Sequence, residues 1–263
     1  MRTTVGVVLM LLLGAVVELV PAVATADDAG QVARGKKVYN KYCVLCHGKK
    51  GDGKGLVGVI HRVQKHGAVI HIYPRDFTAG MFKFRTTPTG YLPTDADLLH
   101  TITNGITRSG MPSHEDVSLA DRKAVIAYIK TFSKRWQEEE PGEPIKIGKA
   151  PSYVGTAASV KRGKELYKKV GCFQCHGISG KGDGPSSATL KDAWGDKIVP
   201  FDFTSGTLKM GSGAKDIYRT FVTGLDGTPM PSYEESLSEQ QRWDIVSYCL
   251  AVMHQGKHRV AKK

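Results

Sequence analysis

The apolar residues of this chain recur three or four residues apart, as in helices, and alternating strand patterns are scarce. In the first half, Val32, Gly35, Tyr39 and Tyr42 fall on one face of a predicted helix. Long glycine-rich connections separate such segments, and connections of that length are unusual in a compact domain unless they wrap around something. The pattern therefore predicts an all-α protein whose loops enclose a bound group.

Two further helices are predicted from a capping pattern, in which a Ser is followed three residues later by an acidic residue. One helix is expected to start at Ser118, with Asp121, and the other at Ser236, with Glu239. Both helices are expected to bury one side. The apolar faces comprise Val125, Tyr128 and Ile129 in the first helix and Ile245, Tyr248 and Cys249 in the second.

The N-terminal segment has the features of an export signal rather than of folded structure. Arg2 supplies a positive charge, an apolar stretch runs from Val5 to Val17, and Ala24-Thr25-Ala26 matches the small-residue pattern of a signal peptidase site. The stretch is shorter than the ~20 apolar residues that span a bilayer. We therefore predict a signal peptide at residues 1–26, cleaved after Ala26; an uncleaved membrane anchor is the alternative.

Most motifs of the first half return in the second, which indicates an internal duplication. The duplication predicts one domain at residues 27–137, a linker rich in Pro and Gly at 138–155, and a second domain at 156–263 that ends in a basic tail. The first copy carries extra residues around Arg85 to Asp95. The matched segments are Arg34-Gly35-Lys36 with Arg162-Gly163-Lys164, Pro74-Arg75-Asp76-Phe77-Thr78 with Pro200-Phe201-Asp202-Phe203-Thr204, and Met111-Pro112-Ser113 with Met230-Pro231-Ser232.

Composition narrows the possible classes of protein. Hydrophobic residues make up 41% of the 263 residues and charged residues 24%, which excludes wholesale disorder and a polytopic membrane protein. Five cysteines are too few for a disulfide scaffold of this length. The formal net charge of +12 means that acidic surfaces will attract the protein, but no nucleic-acid-binding motif accompanies it.

The candidate chemistry lies in two Cys-x-x-Cys-His motifs, at residues 43–47 and 172–176. This pattern is the signature of c-type haem attachment. Two cysteines three residues apart lie on one side of a helical turn, so that both thiols can bond one haem edge while the adjacent histidine binds the iron. The haem-attaching residues are Cys43, Cys46, Cys172 and Cys175, with His47 and His176 as iron ligands.

Structural zinc and thioredoxin-like redox chemistry are the alternatives for these cysteines. Zinc requires four clustered ligands, whereas the two cysteine pairs are about 130 residues apart in separate repeats. A thioredoxin-like site requires a strand-to-helix context, which the sequence lacks. Both motifs are therefore interpreted as haem sites.

Met111 and Met230 are the candidates for the second axial ligands. They occupy equivalent places in the two repeats, and each is followed by Pro and Ser. A thioether is a soft, neutral donor that suits ferrous iron. The following proline favours an extended backbone at the methionine, as expected for a loop laid across a haem face. An ordinary core methionine is the alternative, and the duplicated context weighs against it.

With these motifs in register, the chain resembles a dihaem cytochrome c made of two class I cytochrome c domains, over residues 30–255. The resemblance implies two small helical domains, each wrapped around one covalently bound haem c, and an electron-carrying function. It also implies that Gly35 and Gly163 let the first and last helices of each domain cross closely. The second copy has one extra residue between Gly163 and Cys172, so its approach to the haem is expected to differ slightly.

We expect an exported, periplasmic carrier of single electrons, either free or as the electron-transfer subunit of a larger oxidoreductase. His and Met ligands on both irons leave no open position for a substrate. A dihaem peroxidase with one open iron is the alternative. Lysine-rich surfaces beside the haems are expected to steer acidic redox partners. These lysines are Lys36, Lys37, Lys49, Lys50 and Lys54 in the first repeat and Lys164, Lys168, Lys169 and Lys181 in the second.

Overall fold

The computed structural model describes residues 26–63 and 69–260. The predicted signal peptide lies almost entirely outside these residues. The first repeat contains α1 (Ala26–Tyr42), α2 (Val44–His47), β1 (Ile60–Val63), β2 (Val69–Ile72), α3 (Asp95–Asn104), α4 (Leu119–Lys130) and α5 (Arg135–Glu138). The second repeat contains α6 (Ala157–Lys169), α7 (Phe173–His176), a 3₁₀ turn (Phe203–Ser205), α8 (Ala214–Thr223) and α9 (Glu239–Val260).

The mostly helical architecture confirms the expected all-α class, with one addition. Strands β1 and β2 form an antiparallel hairpin in the first repeat, in which Ile60 lies opposite Ile72 and Val63 opposite Val69. Each strand has only four residues, so its alternation is too short to stand out in the sequence. In addition to the helices, the hairpin forms a wall of the cavity beside the Cys43 motif.

One of the two predicted helix starts is correct and the other is wrong. Ser118 caps α4, and its side chain accepts a hydrogen bond from the backbone N–H of Asp121. Helix α9 begins at Glu239, so that Ser238, not Ser236, is its capping residue. The reason is a reciprocal pair: the Ser238 Oγ accepts from the Gln241 N–H at 3.3 Å, and the Gln241 Oε1 accepts from the Ser238 N–H at 2.9 Å.

The first and last helices of each repeat cross in close contact, α1 against α4 and α6 against α9. A glycine stands at each crossing. A Cβ atom on Gly35 would lie 2.0 Å from the carbonyl oxygen of Ala124, and one on Gly163 would lie 1.8 Å from that of Asp244. The expected glycine crossings are therefore present, and any side chain there would push the two backbones apart.

A buried aromatic follows each crossing glycine and connects the crossing to the cysteine motif. Tyr39 and Tyr167 are almost fully buried, and their hydroxyls donate to the carbonyl oxygens of Gly48 and Gly177 at 2.8 Å. These glycines directly follow the two histidines. The helix crossing thus fixes the position of each Cys-x-x-Cys-His turn. Cys249 is also buried, in the core of the second repeat, as its place on an apolar face predicted.

The extra residues of the first repeat form a contact with the second repeat. The Arg85 side chain is fully buried and donates to the Asp226 carboxylate and to the carbonyl oxygen of Thr223, both at 2.8 Å. Thr89 Oγ1 donates to the same carbonyl at 2.7 Å, and the Gly90 N–H donates to Asp226 at 3.1 Å. An insertion that has no counterpart in the second copy therefore joins the two copies.

We predict that Gly35→Ala and Gly163→Ala each lower the free energy of unfolding by about 1–3 kcal/mol, because the new methyl group overpacks the helix crossing. Urea unfolding of the purified protein, followed by circular dichroism, measures the change. Gly30→Ala is the matched control, since no heavy atom lies within 4 Å of its Cβ position in the same helix. The control should be neutral or more stable by about 0.5–1 kcal/mol. Equal stability of Gly35→Ala and Gly30→Ala would contradict the close crossing.

Removal of the Asp226 carboxylate is expected to destabilise the contact between the repeats. Asp226→Ala leaves the buried Arg85 charge without its counter-ion, which costs about 3–5 kcal/mol when such a pair is broken. Arg34→Ala is the control, because it removes the exposed pair with Asp121 and should cost only about 0–1 kcal/mol. Thermal unfolding of the two variants distinguishes them, and similar losses in both would contradict the assignment.

Candidate haem sites

Each Cys-x-x-Cys-His motif forms a single helical turn. In the first repeat the His47 N–H donates to the Cys43 carbonyl oxygen at 2.9 Å, and in the second the His176 N–H donates to that of Cys172 at the same distance. Gly48 and Gly177 end the turns with φ of 77° and 76°, a conformation that favours glycine. The two cysteines of each motif therefore lie on one side of their turn, as the spacing predicted.

A backbone carbonyl orients each histidine ring. His47 Nδ1 lies 3.1 Å from the Arg75 carbonyl oxygen, and His176 Nδ1 lies 3.1 Å from that of Phe201. A carbonyl oxygen only accepts, so Nδ1 donates and Nε2 keeps its lone pair. Burial lowers the pKa of both imidazoles, which favours the neutral form. Both rings are thus held in the tautomer that binds a metal through Nε2.

An aromatic ring packs on each histidine. The Phe77 ring stacks on His47 with centroids 4.5 Å apart, and Phe203 lies at 4.9 Å from His176. Both phenylalanines belong to the repeated Asp-Phe-Thr segment. In each copy the aspartate accepts hydrogen bonds from the backbone N–H and the hydroxyl of the threonine, which closes a tight turn. This segment and the residue directly before it therefore supply the backbone carbonyl, the tight turn and the phenylalanine ring that together hold the histidine in place.

The two Met-Pro-Ser loops are anchored in the same way. The Met111 carbonyl oxygen accepts from the Ile106 N–H at 3.1 Å, and that of Met230 accepts from the Leu225 N–H at 3.0 Å. The Ser113 hydroxyl donates to the Thr103 carbonyl oxygen at 2.7 Å, near the end of α3. Ser232 makes the equivalent bond at 2.6 Å to Val222 in α8. Each methionine therefore lies in a loop, here called a strap, that is hydrogen-bonded to the preceding helix.

All eight predicted site residues line one continuous cavity. Its volume is about 1230 Å³, and its lining is mostly apolar. Pockets for one ligand typically enclose about 300–1,000 Å³. The size, the apolar lining and the two oriented histidines fit porphyrin groups from both repeats. The eight residues are Cys43, Cys46, His47, Met111, Cys172, Cys175, His176 and Met230.

The environment of the first cysteine in each motif disfavours the thiolate form of that residue. Burial raises the pKa of Cys43 to about 12 and that of Cys172 to about 11. Zinc binding and disulfide exchange both use the thiolate, which is favoured by a lowered pKa. This environment therefore suits cysteines that become thioethers on haem attachment better than it suits zinc binding or thioredoxin-like redox chemistry.

Two basic residues of the cavity, Arg75 and Lys83, were not among the predicted site residues. Both line the cavity where the two repeats meet. One signal was available in the sequence: Arg75 stands where the second repeat has Phe201, so that the two copies differ at a position beside the histidine. The side chain that faces Arg75, Trp194, comes from the second repeat and could not be inferred from local sequence.

Comparison with known proteins identifies both repeats. A family model described as "Cytochrome C oxidase, cbb3-type, subunit III" matches residues 30–129, and one described as "Cytochrome c" matches residues 160–252. The chain is 26% identical over 235 residues to "Cytochrome bc1 complex cytochrome c subunit" of Corynebacterium diphtheriae, covering 86% of this chain and 68% of that protein.

A solved structure supports the same assignment. One chain of the "Kuenenia stuttgartiensis reducing HAO-like protein complex Kustc0457/Kustc0458" superposes with a TM-score of 0.77 at 39% identity. The match covers 83% of the present chain and 95% of that chain. Within residues 26–63 and 69–260, no helix is long and apolar enough to cross a membrane. The repeated motifs, the shared cavity and these similarities show that the chain belongs to the cytochrome c family and contains two cytochrome c domains in tandem.

Proposed function

We propose that this protein is an exported dihaem cytochrome c that carries single electrons between redox proteins. The observation that carries the proposal is the single cavity lined by both Cys-x-x-Cys-His motifs and both Met-Pro-Ser loops. Cytochrome c domains bind haem c covalently, and haem iron, when bound, supplies reversible one-electron chemistry. Two complete sets of attachment and ligand residues in one space favour two haems per chain.

Each group of residues has a defined role in this proposal. Cys43 and Cys46 attach one haem, and Cys172 and Cys175 attach the other. His47 and His176 present Nε2 as proximal ligands because their Nδ1 atoms donate to backbone carbonyls. Met111 and Met230 would each supply a further iron ligand from straps anchored to α3 and α8. A neutral thioether on a buried iron favours the ferrous state and raises the reduction potential.

The duplicated straps favour an electron carrier over an enzyme. Catalysis on a small molecule requires an iron position that is open or can open, and both repeats anchor their methionine by the same pair of backbone contacts. One relative is named as a cytochrome c subunit of a bc1 complex, which supports a carrier, and the similar solved chain belongs to a HAO-like complex, which supports only association with a larger complex. We therefore infer that this protein also delivers electrons to or from a larger redox complex.

The proposed partners are acidic redox proteins. All nine lysines predicted to flank the haems have exposed side chains. With a formal net charge of +12, the protein presents positive potential on the surfaces next to both cysteine motifs. Complementary charge raises the rate of encounter more than it strengthens the complex, which suits a protein that must bind and release quickly.

Export and the domain bounds belong to the same proposal. The apolar stretch at residues 5–17 and the Ala24-Thr25-Ala26 site support delivery across a membrane, where c-type cytochromes of this kind act. The family matches at residues 30–129 and 160–252 fall inside the proposed domains 27–137 and 156–263. Mass spectrometry of the secreted protein would locate its N-terminus, and a chain that keeps residues 1–26 would contradict cleavage after Ala26.

The first test is the haem content and optical spectrum of the purified, exported protein. We expect two haems per chain, a low-spin c-type spectrum in the reduced form, and a methionine–iron charge-transfer band in the ferric form. Hydrogen peroxide should leave the spectrum unchanged. One haem per chain would contradict the dihaem proposal, and a high-spin ferric component with rapid peroxide turnover would favour the peroxidase alternative.

Substitution of the strap methionines tests their role as ligands. Met111→Leu and Met230→Leu keep the side-chain volume but remove the sulfur, so each is expected to abolish about half of the ferric charge-transfer band and to lower one of the two reduction potentials. Met81→Leu and Met210→Leu are the matched controls, one in each repeat, and should keep the full band. A full band in Met111→Leu would refute the assignment of Met111.

The role of the surface lysines can be measured with ferricyanide, a small anionic oxidant. We expect its rate of oxidation of the reduced protein to fall as ionic strength rises, because salt screens the attraction. The triple variant Lys49→Glu, Lys50→Glu, Lys54→Glu should be slower at low salt. A control triple variant at Lys123, Lys146 and Lys149, also changed to Glu, carries the same net charge and should stay closer to the wild type. Equal rates in the two variants would show that only net charge matters.

A further inference from the structure

The turn before each strap methionine is built alike in the two repeats. Residues 106–109 and 225–228 each form a β-turn, closed by a hydrogen bond from the N–H of the fourth residue to the carbonyl oxygen of the first, at 3.1 Å and 3.0 Å. The third residue of the second turn is Gly227, with a φ of 74°, and Arg108 takes this place in the first turn, with a φ of 63°. A positive φ at this position favours glycine. The first repeat therefore has an arginine where the turn itself favours glycine.

Arg108 is the one residue other than glycine with a positive φ in the described part of the chain, and contacts with the second repeat hold it there. Its Nη1 donates to the Ser205 hydroxyl oxygen at 2.5 Å and to the Thr207 carbonyl oxygen at 3.3 Å. Its guanidinium lies 5.7 Å from the centre of the Phe201 ring. The N–H of the residue before it donates to the Lys209 carbonyl oxygen at 3.2 Å. The second repeat thus offsets backbone strain that lies in the first.

The residues that Arg108 contacts belong to the segment that holds the histidine of the second repeat. The carbonyl oxygen of Phe201 accepts from His176 Nδ1 at 3.1 Å. The Ser205 hydroxyl, which accepts from Arg108, donates in turn to a backbone carbonyl of the Asp-Phe-Thr turn at 2.7 Å. Arg108 therefore lies between the strap of one repeat and the segment that orients the histidine of the other.

The same turn fixes the backbone of Met111. The Met111 N–H donates to the Ser109 hydroxyl oxygen at 3.4 Å, and the Met111 carbonyl oxygen accepts from the Ile106 N–H at 3.1 Å. Two residues separate Arg108 from Met111 along the chain. A movement of the turn away from the second repeat would therefore move the methionine with it.

We propose that Arg108 is a positioning residue for Met111, which holds the strap of the first repeat against the second repeat and so keeps the methionine at its iron. The proposal rests on the dihaem function argued above. A guanidinium suits this role because its fixed fork of donors reaches two acceptors while its face packs on a ring. A hydrogen bond from a charged donor is also stronger than one between neutral groups. The ligand of one haem is thereby secured by the repeat that binds the other.

Displacement of Met111 by imidazole tests this role. The haem-loaded ferric protein carries Met230→Leu, so that the remaining methionine–iron charge-transfer band reports Met111 alone. Arg108→Gly removes the side chain and gives the turn the residue that the second repeat has, so the turn is expected to form. Imidazole competes with the methionine for the iron, and its apparent affinity rises with the fraction of protein in which the strap is displaced. We expect half of the band to disappear at an imidazole concentration about tenfold lower than without the Arg108 change, as loss of charged hydrogen bonds predicts.

A variant in the second repeat tests whether the strap is held across the repeats. Ser205→Ala removes an acceptor of Arg108 and should also lower the imidazole concentration needed, although Ser205 lies in the other repeat. Combined with Arg108→Gly, it should add no further change, because the two residues act through one contact. Arg34→Gln is the matched control, since it removes one positive charge from an exposed side chain of the first repeat and should leave the imidazole concentration unchanged.

The outcomes separate the proposal from the function on which it rests. Haem content per chain is measured for every variant, so that a failure to load haem is recognised. Full haem content with an unchanged imidazole concentration in Arg108→Gly would overturn the positioning role. A change in Arg108→Gly without one in Ser205→Ala would overturn the hold by the second repeat, and an equal change in Arg34→Gln would show a general charge effect instead. A Met230→Leu protein without any charge-transfer band would contradict Met111 as a ligand, and with it the proposed function.

Discussion

The need to enclose a large apolar space between the helices constrains most of this structure. Each repeat brings only a few helices, and their cores meet along the Gly35 and Gly163 crossings rather than filling the interior. The remaining walls are loops, whose backbone groups must find partners inside the protein. The carbonyls of Arg75 and Phe201 find them in the histidine rings. The same hydrogen bonds that satisfy the loops therefore orient the proposed iron ligands.

Duplication alone would give two separate pockets. In this structure, side-chain contacts join the two repeats. The insertion around Arg85 buries its guanidinium against Asp226 and Thr223 of the second repeat. Elsewhere between the repeats, cation–π contacts join Arg75 to Trp194 and Arg108 to Phe201. All three arginines belong to the first repeat and the partners named here to the second, and Arg85 also donates to the Phe82 and Pro88 carbonyl oxygens within the first repeat. The contact between the repeats is therefore made by side chains that differ between the two copies.

The sequence predicted what depends on local spacing and missed what depends on contact across the repeats. The helical turn that holds Cys43, Cys46 and His47 could be predicted because their proposed chemistry requires a fixed spacing within one turn, and the close crossing at Gly35 followed from the resemblance to class I cytochrome c domains. The start of α9 was misplaced by two residues, since Ser236 and Ser238 both fit a capping pattern and only tertiary structure decides between them. The hairpin was too short to predict. Arg75 and Lys83 resemble surface cations until the second repeat is placed over them.

These observations divide the basic charge of the protein into two kinds with different consequences. The exposed lysines lie in water, where salt screens them, and each contributes little to the energy of the haem sites. Arg75 and Lys83 are partly buried in the cavity lining, so that a charge there is screened less than one on the surface. In the proposed electron carrier, surface charge would therefore affect how quickly partners meet the protein, whereas the charge of the cavity lining would affect how strongly each site holds an electron. Because the two sets share no residue, evolution could change partner choice and reduction potential independently.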